Sequence, residues 1–310
     1  MKIAIIGQQD FGKAVLEAFL ARGDQVAGVF CAPEKPGARP DVLKTAAQEK
    51  GVKVFQFPGL KGDEAKTALK SLEVEIGIMA FVLQFAPQDF VTIPKHGTIQ
   101  YHPSLLPKYR GPSSINWPIS RGETKTGLTI FRPTDGLDEG PVVLQKETAI
   151  SPDDTLGTVY FDRLFPMGVQ AMLEAADLVV AGKHRELVQD ESLATYEGWF
   201  RDAEARISWA NHVDVVHNLI RGCNPAPGAW TTLNGMKLQI FDSKKVSVRT
   251  FGAVKGKVGE VVDCGPASFH VTAQGGRIEV LRAKLGDGKK VAAGDLLATG
   301  SIQAGQLLGT

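Results

Sequence analysis

Cysteine is scarce: Cys31, Cys223 and Cys264 are the only three in 310 residues, and they lie far apart. That usage forms neither a disulfide framework nor a zinc pattern, and it fits a reducing, cytoplasmic setting. No apolar run approaches the roughly 20 residues of a membrane span, so no membrane association is expected. The opening MKIAIIGQQDFGK has only a short apolar stretch and no small-residue cleavage site, and no secretory signal is expected. An excess of one charge is also lacking. Thirty-five Lys and Arg stand against 34 Asp and Glu, a net of +1, which by itself argues neither for nor against nucleic acid. The six histidines do not cluster with acids at ligand spacing, so no metal site is expected. Glycine and proline are spread along the chain, which excludes collagen and low-complexity readings. There is no internal repeat.

What is present is ordinary globular material. Hydrophobic residues make up 43% and charged residues 22%, and at about 100–200 residues per domain the length suggests two domains. A chain of this size buries a core without disulfide or metal staples. Residues 1–203 carry 22 Lys and Arg against 26 Asp and Glu, a net of −4, whereas 204–310 carry 13 against 8, a net of +5. A basic tail domain can mean weak nucleic-acid affinity; an ordinary solvated surface is the preferred reading.

The first half alternates between strand-like and helix-like segments. Strands are expected at Lys2–Ile6, Gln25–Phe30, Lys53–Phe57, Ile76–Phe81 and Gly97–Tyr101. Helices are expected at Phe11–Ala21, with Phe11, Val15, Leu16 and Phe19 on one face, and at Val42–Lys50 and Glu64–Leu72. This pattern predicts a Rossmann-like α/β fold, with a mostly parallel sheet covered by helices on both faces. Thr155–Gly182 reads as a long helix that Pro166 kinks or divides. Ala210–Ile220 reads as one more helix. From Ala229 onwards come short β-like runs: Lys237–Phe241, Val246–Thr250, Gly259–Val262, Ser268–Thr272, Arg277–Arg282 and Asp295–Ala298. They predict a small OB-like β-barrel or open barrel, with the boundary near Asp202–Ile207. The domains are thus expected at 1–203 and 204–310.

Ligands of such sheets sit at the carboxyl ends of the strands. The amino terminus, with Gly7 and Gly12 around a strand-to-helix turn, carries the first and last glycines of a dinucleotide fingerprint. Gln9 replaces the middle one, and no acid follows the second strand. A tight turn is expected there, not nicotinamide binding. Gly97–Trp117 is richer. His102 comes at a strand end with Pro103, Ser104, Arg110 and Gly111 nearby, and imidazole both donates and accepts a proton near neutral pH. Arg110 could bind a carboxylate or pin its loop to the sheet, and pinning is the preferred reading. In Gly127–Gly140 the strand Leu128–Phe131 leads into a loop carrying Asp135, Asp138 and Glu139, where Gly136 and Gly140 allow close approach to a ligand. A carboxylate beside a histidine would supply the proton-sharing partner that acyl chemistry needs.

These two segments resemble the folate-dependent formyltransferases. The resemblance rests on His102-Pro103-Ser104-Leu105-Leu106-Pro107, Tyr109-Arg110-Gly111, Ile115-Asn116-Trp117 and Asp135-Gly136-Leu137-Asp138-Glu139-Gly140, in that order. It extends over almost the whole chain. Gln84-Phe85, Tyr101-His102-Pro103, Leu144–Glu147, Ala194–Gly198 and Leu219–Gly222 are similar to the hydrolase domain of 10-formyltetrahydrofolate dehydrogenase in particular. Pro227–Thr231 is similar to the start of the family's carboxyl-terminal barrel. The loop Ala32–Pro40 is shorter than the basic loop that tRNA formyltransferases use, which disfavours tRNA as a partner, while the +5 tail mildly favours it.

The resemblance implies 10-formyltetrahydrofolate as substrate, with no tightly bound cofactor. It also implies a pterin pocket lined by Gln84, Phe85 and Ala86 with Thr134, Asp135, Gly136, Leu137 and Asp138. His102 and Asp138 take the catalytic positions. Gln100 stands where the transferases place Asn and the hydrolase domain an apolar residue, so hydrolysis to formate and tetrahydrofolate stays open beside transfer to methionyl-tRNA, a small amine or an amino sugar. Oligomeric state, and whether the chain belongs to a longer fusion, are not legible.

Overall fold

A computed structural model describes residues 1–248 and 254–309. In chain order the first elements are β1 (Lys2–Gly7), α1 (Gln9–Ala21), β2 (Gln25–Cys31), α2 (Val42–Glu49), β3 (Val54–Gln56), α3 (Asp63–Ser71) and β4 (Ile76–Ala80). There follow α4 (Gln88–Val91), β5 (Thr98–His102), α5 (Asn116–Ser120), β6 (Lys125–Phe131), β7 (Val142–Ala149), α6 (Leu156–Val159) and α7 (Phe165–Val180). The rest comprises α8 (Val213–Gly222), β8 (Ala229–Leu233), β9 (Met236–Ser247), β10 (Val261–Val262), β11 (Phe269–Ala273), β12 (Gly276–Leu285), β13 (Val291–Ala292) and α9 (Ala293–Ala298).

The chain forms two compact units. The first consists of Met1–Gly111, Gly127–Thr148 and Arg163–Tyr196; the second of Pro112–Thr126, Ala149–Asp162 and Glu197–Thr310. A single cut at 203/204 assigns the two excursions, Pro112–Thr126 and Ala149–Asp162, to the first portion; by packing they sit with the second.

The first unit is built on a seven-stranded sheet in the order β3-β2-β1-β4-β5-β6-β7. The pairs from β3 to β5 are parallel, and β6 runs antiparallel to β5. Strand β4 is buried along its whole length, as its unbroken apolar run requires in a sheet covered on both faces. One face packs Ile3, Ile5, Ile78 and Ile99 against Phe11, Val15, Leu16 and Phe19 of α1 and Ala171, Met172 and Ala175 of α7. The other packs Ala4, Ile6, Phe30 and Met79 against Ala65 and Leu69 of α3 and Phe90 of α4. Each fully buried Ile or Phe contributes about 1.5–3 kcal/mol. This is the Rossmann-like sheet that the alternation predicts.

The amino-terminal turn is a packing device. A Cβ on Gly7 would stand 1.9 Å from the Ala80 carbonyl oxygen, and one on Gly12 2.9 Å from Leu43 Cδ2. Gln9 has a left-handed φ of +59°, and its N–H donates to the Asp41 carboxylate at 3.0 and 3.1 Å. The chain's own carboxylate thus meets the start of α1, where a dinucleotide fold would hold a pyrophosphate.

One local expectation holds and two change. The Thr155–Gly182 helix is divided beside Pro166, as expected: a π-helical turn, Tyr160–Leu164, separates α6 from α7, and Pro166 lies in the first turn of α7. Proline has no N–H for the preceding turn, and the wider turn accommodates that loss. The runs Lys237–Phe241 and Val246–Thr250 belong to one strand, β9, as far as Ser247; residues 249 and 250 lie outside the described residues. Asp295–Ala298 is the end of helix α9, not a strand. Its Ala and Leu residues favour a helix, and Ala293, Leu296 and Leu297 rest on the second core.

The second unit holds an antiparallel sheet in the order β10-β11-β12-β9-β8, with β13 paired to β12. Register irregularities around Arg282 interrupt the β9–β12 ladder. Such bulges bend a strand, and the sheet curls into an open half-barrel around Val213, Val216 and Ile220 of α8. Asn116 Nδ2 donates to the carbonyls of Gly222 and Ala226 at 3.0 and 3.2 Å. Arg221 Nη1 donates to the carbonyls of Ser151 and Asp154 at 3.4 and 3.1 Å. These bonds tie both excursions into this unit.

Candidate active site

His102 is the last residue of β5, and its side chain is buried, with 6% exposure. The chain beyond it is fixed from several directions. The Ser104 hydroxyl donates to the Lys108 carbonyl at 2.7 Å. The Thr129 hydroxyl on β6 donates to the Ser104 carbonyl at 2.7 Å and accepts from Leu106 N–H at 3.1 Å. Gln145 Nε2 on β7 donates to the Leu106 carbonyl at 2.7 Å. The Tyr109 N–H donates to the Thr195 hydroxyl at 2.7 Å. The Leu-Leu-Pro turn is thereby held against β6 and β7.

That turn brings the Tyr109 carbonyl 2.8 Å from His102 Nε2. A carbonyl only accepts, so Nε2 carries the hydrogen. His102 Nδ1 faces Asp138 Oδ2 at 3.5 Å. The same oxygen accepts the Gly111 N–H at 2.8 Å, while Asp138 Oδ1 has no hydrogen-bond partner among the described residues. Asp138 is 9% exposed and sits at a φ of +54°, a backbone conformation that non-glycine residues adopt at a cost. The Nδ1 edge of the ring thus faces a carboxylate whose second oxygen is available to a ligand, and a proton taken up there can be shared between the two.

Gln100 lies two residues before His102 on β5, and alternate residues of a strand point to the same face. Its side chain has no hydrogen-bond partner among the described residues. The other expected residues form two loops that meet. Asp135 Oδ1 accepts the Gln88 N–H at 3.0 Å, joining the Thr134–Asp138 loop to the segment after β4. Gln84 Nε2 donates to the Phe57 carbonyl at 2.8 Å. Ala86 is buried, and the Thr134 hydroxyl is buried without a partner among the described residues. Phe85 and Leu137 are about half exposed, as are Phe81 and Leu83 beside them, so the loops present apolar surface. A Cβ on Gly136 would overlap the Glu139 carboxylate, and one on Gly140 would stand 1.7 Å from the Arg132 carbonyl oxygen.

Arg110 pins its loop, though not to the sheet. It is fully buried. Its Nε and Nη2 donate to Gln189 Oε1 at 3.1 and 2.8 Å. Its Nη1 and Nη2 donate to the Glu191 carboxylate at 2.9 and 2.5 Å, and Nη1 also bonds the Tyr196 hydroxyl. These contacts occupy all five guanidinium hydrogens, leaving none for a ligand carboxylate. The bonds to Glu191 raise the Arg110 pKa above its ordinary value, and the Arg110 bonds hold the Glu191 carboxyl below its own. Gln189 is a residue the sequence did not single out, since it lies in an irregular segment without periodicity. Tyr196 and Thr195 were visible only through the resemblance. No group of three or more potential metal ligands occurs among the described residues.

A doubly wound, Rossmann-like sheet with a His–Asp pair at the carboxyl end of β5, followed by an antiparallel half-barrel, defines a two-part α/β enzyme architecture. Residues 1–176 match the formyl transferase family, and residues 200–300 match the formyl transferase C-terminal domain; the chain belongs to that family. It is 38% identical to a human mitochondrial 10-formyltetrahydrofolate dehydrogenase over 99% of its own length, but spans only 34% of that protein. It is 33% identical to a methionyl-tRNA formyltransferase from Geotalea uraniireducens, over 100% of this chain and 98% of the relative. An N-formyltransferase from Helicobacter canadensis, solved with folinic acid and dTDP-3-aminofucose, shares the fold with a TM-score of 0.69 at 19% identity, over 90% of this chain and 98% of that one. The chain thus spans about a third of the dehydrogenase it matches, and nearly all of the two transferases.

Proposed function

We propose that this formyltransferase-family enzyme removes the formyl group of 10-formyltetrahydrofolate by hydrolysis. The observation that carries the reading is the buried pair His102 Nδ1–Asp138 Oδ2 at 3.5 Å, with Nε2 committed to the Tyr109 carbonyl. Residues 1–203 carry the chemistry, and residues 204–310 form the smaller domain. The folate's ring system lies on the apolar surface of Phe85 and Leu137, with Gln84, Ala86, Thr134, Asp135 and Gly136 completing the pocket. Gln100 Nε2 faces the formyl oxygen.

Water adds through its oxygen to the formyl carbon, and its proton passes to Asp138. The formyl oxygen becomes an oxyanion stabilised by the Gln100 amide, while His102 Nδ1 shares the proton taken up by Asp138. The bond from carbon to N10 then breaks, N10 takes the proton held by the His102–Asp138 pair, and formate and tetrahydrofolate leave. Support for hydrolysis comes from the similarity to the dehydrogenases and from Gln100, whose amide is one methylene longer than that of Asn. A positioning change of about an ångström costs on the order of 100-fold in rate.

The second reading is transfer of the formyl group to an amine, either methionyl-tRNA or a small amine such as an amino sugar. It is favoured by the end-to-end match to a methionyl-tRNA formyltransferase. The test follows formate and tetrahydrofolate released from 10-formyltetrahydrofolate, first alone and then with methionyl-tRNA or a nucleotide-linked amino sugar. Formate without an acceptor supports hydrolysis. Tetrahydrofolate appearing only with an acceptor, matched by formylated amine, supports transfer. Absence of turnover under all conditions refutes both.

A further inference from the structure

We propose that Gln189 is a positioning residue for Asp138, clamping the backbone of the Asp138–Gly140 segment so that the carboxylate stays against His102. The proposal rests on the functional reading above and adds to it a residue that neither matched range, 1–176 or 200–300, contains.

Gln189 is 6% exposed. Its Nε2 donates to the carbonyl of Asp138 at 2.8 Å and to that of Gly140 at 2.7 Å. Its Oε1 accepts from Arg110 Nε and Nη2 at 3.1 and 2.8 Å. Both hydrogens and both lone pairs of the amide are therefore used, and only one orientation of the amide satisfies these partners. Arg110 is held in turn by Glu191 and Tyr196. The next residue, Gly111, donates its N–H to Asp138 Oδ2.

The bonds close a ring. From Asp138 the path runs through its carbonyl to Gln189, to the Arg110 guanidinium, along the chain to Gly111, and back to the Asp138 carboxylate. Asp138 has a left-handed backbone, and such a residue persists only where its surroundings over-determine it. Here the carboxylate is held from one side and the main chain from the other. Removing the main-chain clamp lets the segment relax toward ordinary backbone angles and draws the carboxylate away from His102 Nδ1.

Gln189→Glu separates the two halves of the clamp. It keeps the shape and offers Arg110 a carboxylate, but the carbonyls of Asp138 and Gly140 lose their donors. The assay is steady-state release of tetrahydrofolate from 10-formyltetrahydrofolate, with the 15N resonances of the His102 ring recorded on histidine-labelled protein. We expect kcat to fall roughly 30–100-fold, with KM changed by less than about threefold and the ring resonances moved. A variant with kcat within about threefold of wild type overturns the proposal. So does a loss carried by KM alone, or a loss of activity with unmoved His102 resonances. A variant that does not fold also overturns it, since Gln189 is then a folding residue only. If the wild type releases no tetrahydrofolate under any acceptor, the functional reading fails on its own, and the His102 resonances alone decide whether Gln189 holds Asp138.

Discussion

Replacing Asp138 with Asn separates the chemistry of the carboxylate from its place in the fold. Asp138 Oδ2 accepts the Gly111 N–H at 2.8 Å and faces His102 Nδ1 at 3.5 Å. An Asn amide has two ways to sit in that space. With its oxygen toward Gly111 the bond survives. With its nitrogen there, two donors confront each other, and an unsatisfied buried donor costs about 1–3 kcal/mol. The oxygen-in orientation therefore dominates. The remaining loss is the charge assistance of one hydrogen bond, about 1 kcal/mol, or roughly 1–2 °C in melting midpoint for a protein of this size. Turnover suffers far more. The amide cannot take the nucleophile's proton, and positioned proton transfer contributes about 10²–10⁴-fold. Formate and tetrahydrofolate release from 10-formyltetrahydrofolate, measured beside a thermal melt, should show kcat down by about that factor in a folded protein. A folded D138N variant retaining more than roughly a tenth of wild-type turnover would refute the assignment of Asp138 as the proton carrier.

Gln100→Asn should slow hydrolysis by roughly 10–100-fold if the longer amide positions the oxyanion for attack by water; an unchanged ratio of formate to formylated amine in a mixed assay removes Gln100 from the choice of nucleophile. Gly7→Ala forces a Cβ against the Ala80 carbonyl, where the gap is 1.9 Å and the obstacle is backbone; it should cost about 1–3 kcal/mol or more in denaturant unfolding, and a loss within error would mean that β1 and β4 part easily. His217 is buried, and its pKa is lowered first by burial and then by Arg221 and Lys245, against a raising effect from the Ser243 backbone and Asp153. Above the ordinary histidine value of 6.5, folded and unfolded states are both neutral there and pH has no effect through this group. Below it the unfolded state takes up the proton first, so stability should fall as pH drops from the unfolded toward the folded value. His217→Gln should flatten that part of a pH series of unfolding free energies, and an identical slope would exclude His217 as its source.

The elements legible in the sequence were those whose signal is local. The helical face Phe11, Val15, Leu16 and Phe19 is buried as its spacing predicts, and the apolar run of β4 marks a buried central strand. Strand β7 alternates half-buried and exposed residues along KETA, but Lys, Glu and Thr are polar on both faces, so the letters show neither an alternation of hydropathy nor an apolar run. Helix α9 is too short for a period, and its contacts with the second core decide its form. The carboxyl end of β5 was legible as the place for chemistry, because His102 there is followed by Pro103 and a turn.

The sequence by itself determined the α/β alternation, the antiparallel second part and the residue types His102, Gln100 and Asp138, since each depends on neighbours within a few positions. Only the tertiary structure decided which edge of the His102 ring faces Asp138 and what holds the carboxylate there. Gln189 reaches Asp138 across 51 residues and Arg110 across 79. Hydrogen bonds over such separations depend on how the chain returns to the sheet edge, and they leave no periodicity in the residues that make them.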